Sequence, residues 1–275
     1  MGAGERFNSP ADSPRKRTSR EWFFIDTGDK SGDFNMKFDL SLVDEFRITG
    51  IPMLRFYGWN PYCISLGRNQ NETDIDVERA GRDGMDIVKR PTGGKAVLHA
   101  EEVTYSVVME TGGLSVRESY NRISTALVMG LRKLGAELEL SQSSADFQKL
   151  FRDPRAIPCF STSAVFEVEH KGRKLVGSAQ HRFGDILLQH GSILMGEFHK
   201  RLVDYLMVDD TAREKTANDL RAHTVTLSEI LGRAAGREEI IAAVKDGFTD
   251  TFGAEFSSTS FPDRKDVEAN TFGEN

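Results

Sequence analysis

Lys89-Arg90-Pro91-Thr92-Gly93-Gly94-Lys95-Ala96-Val97-Leu98-His99 is the stretch from which the rest of this sequence is read. It follows Met85 to Val88, an apparent strand end, and then places small residues where backbone N–H groups can approach a ligand with no Cβ in the way. Such a loop suits an anion or a carboxyl group. Gly93 and Gly94 are adjacent and no Gly-Lys-Ser/Thr follows them, so the spacing is not that of a phosphate-cradling G-x-x-x-x-G-K-[ST] loop. A nucleoside triphosphatase is disfavoured. No G-x-G-x-x-G opens a helix after an early strand, so a dinucleotide-binding reading fails as well.

Outward from that loop, the chain of 275 residues is long enough to bury a core without disulfide staples, as one large domain with an appendage. Its net charge of -6 argues against nucleic-acid binding through phosphate contacts. Cys63 and Cys159, the two cysteines, lie too far apart for a metal-ligand spacing, and no His-x-x-His or His-x-x-x-His pair supplies one, so no metal site is expected. Their usage fits a reduced, cytoplasmic setting. No apolar run approaches the roughly 20 residues needed to cross a bilayer, and no signal-peptide core follows the N-terminus, so no membrane partner is expected.

Residues 1–20 are rich in Gly, Pro and Ser with the basic cluster Arg15-Lys16-Arg17, and are expected to be a disordered tail. Trp22 to Ile25 reads as a strand, and Asp33 to Arg47 as a helix with Met36, Leu40, Val43 and Phe46 or Arg47 at helical spacing. Met53 to Tyr57, Cys63 to Leu66 and Val103 to Met109 are strand candidates. Cys63, alternating with apolar neighbours, reads as core. The clearest helix runs from Ser115 to Leu134, opened by the capping box Ser115/Glu118 and closed by Gly135. Ser141 to Pro158 reads as a long loop. A hairpin about Lys171-Gly172 and a strand or turn from Ile186 to Met195 follow, then the capping box Thr226/Glu229 and two helices, the second carrying Ile240, Ile241, Val244, Phe248 and Phe252. Strands and helices without strict alternation point to an α+β fold.

Five segments fall in an order that identifies a family. They are Phe34-Asn35-Met36-x-x-Asp39, Ile64 to Gln70, the Arg90 to His99 loop, Arg173-Lys174 to Ala179, and Gln189-His190-Gly191-Ser192. Over residues 21–232 the chain resembles the biotin/lipoate ligase superfamily, specifically the lipoate-protein ligases and octanoyltransferases, with 233–275 left as a C-terminal helical extension whose end frays. The resemblance implies a mixed sheet flanked by helices, a tunnel for a medium-length acyl chain, and a rim that receives the lysine of a lipoyl domain. It also implies that Lys174 is the central polar residue. Arg90, Thr92, Gly93, Gly94 and His99 match the loop that faces the acyl carboxyl or adenylate, and Gly177, Ser178, Ala179, His190 and Gly191 match neighbouring binding segments. Ala100 departs from relatives that carry Asp or Gly after the histidine. Taken as residues alone, His99 and His190 read as structural histidines holding loops, and Asp39 and Asn35 as helix-end or packing residues.

Two chemistries share this scaffold. A ligase activates a free acid with ATP and Mg, and so needs groups that neutralise phosphate. A transferase starts from an acyl-carrier-protein thioester and needs no cofactor, but it does need a nucleophile. Cys159, in Pro158-Cys159-Phe160 ahead of the Lys174 hairpin, resembles the nucleophile of the single-domain cysteine-dependent octanoyltransferases. An ammonium such as Lys174 would lower its thiol from the free value of about 8.5, and N–H donors near Gly93 and Gly94 would serve as an oxyanion site. The larger ligases carry a C-terminal accessory domain, whereas roughly forty residues follow Gly232 here. The expectation is therefore octanoyl transfer from acyl carrier protein, through a Cys159 thioester, to a lipoyl-domain lysine of a glycine-cleavage H protein or a 2-oxoacid dehydrogenase E2 subunit. The alternative is an ATP-dependent lipoate or octanoate ligase.

Overall fold

The computed structural model describes residues 20–141 and 167–257. Eight strands form its main sheet: β1 (Glu21–Lys30), β2 (Met53–Trp59), β6 (Glu102–Glu110), β7 (Glu139–Leu140), β8 (Val168–His170), β9 (Arg173–Phe183), β10 (Ile186–Leu194) and β11 (Glu255–Ser257), in the spatial order β11-β1-β2-β6-β10-β9-β8-β7. β1 runs parallel to both β2 and β11, and every pairing from β2 onward is antiparallel. A second sheet of β3 (Cys63–Leu66), β4 (Asp86–Lys89) and β5 (Val97–His99) has the order β4-β3-β5. The result is the α+β architecture, with a mixed sheet flanked by helices, that the sequence pattern implies.

Both faces of the main sheet are covered, which is why its central strands read as near-continuous apolar runs. One face carries α3 (Val116–Arg132) and α6 (Arg237–Phe252): Leu54, Phe56, Tyr105 and Val107 of the strands share a core with Ile123 and Leu127 of α3 and Ile240, Val244 and Phe248 of α6. The other face carries α1 (Gly32–Thr49), whose Leu42, Val43 and Phe46 pack on Met53, Val108 and Leu188. Leu40, expected in the stripe of α1, is instead 40% exposed, because the buried face passes through Met36, Asp39 and Val43 and includes polar groups. Both capping boxes form, at the start of α3 and at the start of α5 (Leu227–Leu231). Short α2 (Val77–Arg82), β5, a 3-10 segment over Phe198–Tyr205 and α4 (Asp210–His223) complete the chain.

The helix beyond residue 232 is built into this core. α6 and α3 meet backbone to backbone: a Cβ on Gly247 would lie 2.1 Å from the Ala126 carbonyl oxygen and 2.5 Å from the Gly130 nitrogen. No flexible side chain is there to yield. Gly247→Ala is therefore expected to force the helices apart and cost about 1–3 kcal/mol, read as a lower denaturant midpoint at unchanged slope. An unchanged midpoint would show that the helix pair is looser than its geometry.

Candidate active site

A cavity lies between the two sheets. Tyr57, Trp59, Thr104, His190 and Ser192 of the large sheet form one wall, Ser65, Val97 and His99 of the small sheet the other, with Met36 of α1, Arg90 and the Gly177–Ala179 backbone at its ends; it holds about 440 Å³ of space, mouth included. Its lining is drawn from β2, β6, β10 and β9. The β2 end is aromatic and apolar, and the β9 end is the segment that carries Lys174.

The polar wall is organised by two buried carboxylates. Asp39 Oδ1 accepts from Arg55 Nη1 at 2.7 Å and Ser106 Oγ at 2.8 Å, and its Oδ2 lies 3.1 Å from the donating Tyr57 hydroxyl and 3.0 Å from His190 Nδ1. His190 Nε2 in turn lies 2.7 Å from Thr92 Oγ1. Burial alone would raise the Asp39 carboxyl, but Arg55, His190 and Ser106 outweigh it and hold it below the usual carboxylate value. Burial pushes the His190 imidazole down, and Asp39 offsets this only in part. An ionised Asp39 beside a neutral His190 leaves one assignment of protons: Nδ1–H donates to the carboxylate, and Nε2 accepts from the threonine hydroxyl. Arg55, wholly buried, also donates to Thr27 Oγ1 and to the Asn35 carbonyl and side-chain oxygens, so neither member of the ion pair has an unmet need.

The second carboxylate repeats the device. Glu102 Oε1 is 2.8 Å from His99 Nδ1 and accepts from Thr104 and Ser192, while His99 Nε2 is 2.7 Å from Ser65 Oγ. The His99 ring stacks on Trp59 at 4.1 Å, and the indole N–H donates to Thr104 Oγ1 at 2.7 Å. Ser65 Oγ and the Ser65 carbonyl both accept from Arg90 Nη1, and the other Arg90 N–H groups go to the Gly93 and Lys95 carbonyls. All five guanidinium hydrogens are thus spent inside the protein, so Arg90 acts as a staple of its own loop.

That staple shapes the Thr92-Gly93-Gly94 turn. Gly94 has φ +100°, which favours glycine, and Gly67 must also lack a Cβ because one would sit 1.9 Å from the Gly94 oxygen. Neither Gly93 nor Gly94 gives its N–H to another described residue, and neither is among the residues that line the cavity. Thr92 is fully buried behind His190 and does not line the cavity.

Lys174 lies on β9, upstream of Gly177, buried and 2.7 Å from Glu167 Oε1. Ser178 and Gly191 are paired across β9 and β10, and the Ser178 hydroxyl turns to the helix-covered face, 2.8 Å from the Tyr105 hydroxyl. Of that motif Gly177, Ser178 and Ala179 meet the cavity, Ala179 beside its cross-strand partner His190, and Lys174 does not. Cys159 lies outside the described residues. Cys63 is core, fully buried as its alternation implies.

Asp39, Arg55, Ser65, Trp59, Glu102 and Ser192 were not read from the sequence as site residues. One signal was present: Arg55 interrupts the apolar run Met53-Leu54-Arg55-Phe56-Tyr57, and a charge inside a buried strand demands a buried partner.

The family described as the lipoyl protein ligase A/B catalytic domain matches residues 31–249. The octanoyltransferase LipM of Kyrpidia tusciae is 38% identical over 240 residues, 85% of this chain and 88% of that protein. The Bacillus subtilis octanoyltransferase LipM is 35% identical over 237 residues, covering 82% and 84%. Among solved structures, the bi-partite lipoate protein ligase of Thermoplasma acidophilum superposes with a TM-score of 0.75 at 19% identity, over 92% of this chain and 91% of that one, a likeness of fold.

Proposed function

Because this chain belongs to the lipoyl protein ligase A/B catalytic domain family, we propose that it is an octanoyltransferase of protein lipoylation. The observation that carries this reading is the cavity between the two sheets, aromatic and apolar at the β2 end, where an acyl chain would lie, and polar toward β10, where its carbonyl would sit. Sequence similarity to octanoyltransferases over most of the chain supports it. Full internal use of the Arg90 donors favours transfer over ATP-dependent ligation, because the guanidinium has no N–H left for a phosphate.

In the proposed reaction the Cys159 thiolate attacks the thioester carbonyl of octanoyl-acyl carrier protein. The carbonyl oxygen becomes an oxyanion beside the Gly93 and Gly94 amides, and collapse expels the carrier thiolate. The lysine amine of a lipoyl domain then attacks the octanoyl-cysteine, forming the amide, releasing the Cys159 thiolate and losing one proton. Lys174 supplies the positive charge that favours both the thiolate and the polarised carbonyl. The test is turnover with and without ATP. Octanoyl-carrier protein should acylate a lipoyl domain without ATP, and product formed only from free acid plus ATP would replace this reading with the ligase.

Trp59 sets how far an acyl chain reaches, since its indole lines the cavity and also an outer groove bordered by Asp29, Tyr62 and Glu101. The stacked His99 and the bond to Thr104 fix it in place. Trp59→Leu is expected to open the partition and reduce the preference for octanoyl over dodecanoyl donors by roughly tenfold or more, the scale of a few methylenes in an apolar pocket. Relative kcat/KM for the two chain lengths measures it, and an unchanged ratio would place the end of the chain elsewhere.

A further inference from the structure

We propose that Asp39 is a positioning residue for acyl transfer, acting by holding His190 in its neutral Nδ1–H tautomer. The inference rests on the acyl-transfer reading above. Asp39 never reaches the cavity: it is fully buried, with both oxygens committed to Arg55, Ser106, Tyr57 and His190. Two of its partners, Tyr57 and His190, line the cavity, and of these the His190 imidazole leads on to the Thr92 turn. His190 lines the cavity, and its Nε2 lies 2.7 Å from the Thr92 hydroxyl at the start of the turn that carries Gly93 and Gly94.

The polarity of that chain is what matters. With a carboxylate at position 39, His190 must present a hydrogen at Nδ1 and a lone pair at Nε2, so the Thr92 hydroxyl hydrogen is used on the ring. Thr92 is then held at its side chain by His190, while its carbonyl accepts from the Arg68 N–H at 2.9 Å. The turn is fixed from both sides, and the Gly93 and Gly94 amides are preorganised instead of being sought at each turnover. Asp39→Asn preserves the shape but reverses the sense. An asparagine oxygen still accepts from Arg55 and Ser106, whereas its amide nitrogen donates toward His190 Nδ1 and turns the Tyr57 hydroxyl from donor to acceptor. The imidazole hydrogen moves to Nε2, and the Thr92 hydroxyl, now an acceptor, releases its hydrogen.

Nitrogen-15 NMR of histidine-labelled full-length protein reads the tautomer directly, with the His190 signals assigned by their loss in His190→Gln. In the wild type the expected result at neutral pH is a protonated Nδ1 and a bare Nε2. In Asp39→Asn the expected result is the opposite pattern, with kcat for octanoyl transfer reduced roughly 10- to 100-fold and KM within about threefold, since a wrongly set tautomer weakens the chemical step more than binding. Thr92→Val leaves the Asp39–Arg55 pair untouched. It should reproduce the kcat loss while His190 keeps its Nδ1–H form, and it decides the matter if the asparagine variant fails to fold. A wild-type His190 found as Nε2–H or as imidazolium overturns the proposal, as does an unchanged kcat in Thr92→Val or in a tautomer-reversed Asp39→Asn. A wild type with the expected tautomer that transfers no octanoyl group from any donor overturns the acyl-transfer reading, and the role assigned to Asp39 falls with it.

Discussion

Cys159→Ala is expected to abolish octanoyl transfer, with kcat falling by about 10³-fold or more, as when the nucleophile of a covalent mechanism is removed. In the wild type, octanoyl-carrier protein without acceptor should leave one octanoyl group on the enzyme, labile to hydroxylamine and absent from the variant. The chain supplies its own control, because it has only one other cysteine. Cys63 is fully buried on β3, and burial, reinforced by Asp86 and Glu102, pushes its thiol well above the usual value. It should therefore resist both acylation and alkylation near neutral pH, so that a single iodoacetamide-reactive thiol disappears in Cys159→Ala. An adduct that persists in that variant, or full turnover by it, would remove the thioester from the mechanism.

The parts of the fold legible in the sequence were those with local signatures. Two capping boxes and the Lys171-Gly172 turn each depend on residues within a few positions of one another, and each forms, while α3 buries Ile123, Leu127 and Leu131 and leaves Val116 exposed. α4 left no stripe to read, since Leu220 is its only buried residue. β11 is three residues long and exists by pairing with β1 at the other end of the chain, a contact no local pattern announces. The site divides along the same line. Motif order singled out Arg90, Thr92, His99, Lys174 and His190, but not what each does. Asp39 of α1 meets Arg55 of β2 and His190 of β10, two strands further along the same sheet, so its importance is visible only once the partners converge. Arg90 makes the converse point: its residue type suggested an anion ligand, and its geometry spends every donor on the loop itself.

Lys174→Met is expected to have two effects that must be separated. The Lys174 ammonium and the Glu167 carboxylate are buried together, 2.7 Å apart and each about 4% exposed at the side chain. Removing the cation takes the ammonium away from a buried carboxylate, so the single variant should lose stability, by up to about 3–5 kcal/mol, as well as activity. Loss of turnover alone would then say nothing of catalysis. Glu167→Gln combined with Lys174→Met takes away both charges and should recover much of the stability in a denaturant titration, because neutral groups in that place carry a far smaller desolvation cost. If the ammonium favours the thiolate and polarises the acyl carbonyl, the double variant should stay at least about 100-fold below wild type in kcat. Its cysteine should also need higher pH to be alkylated, since the cation that favours the thiolate is gone. A double variant that is stable and fully active would make Lys174 a structural partner of Glu167 and would leave the chemistry to other groups.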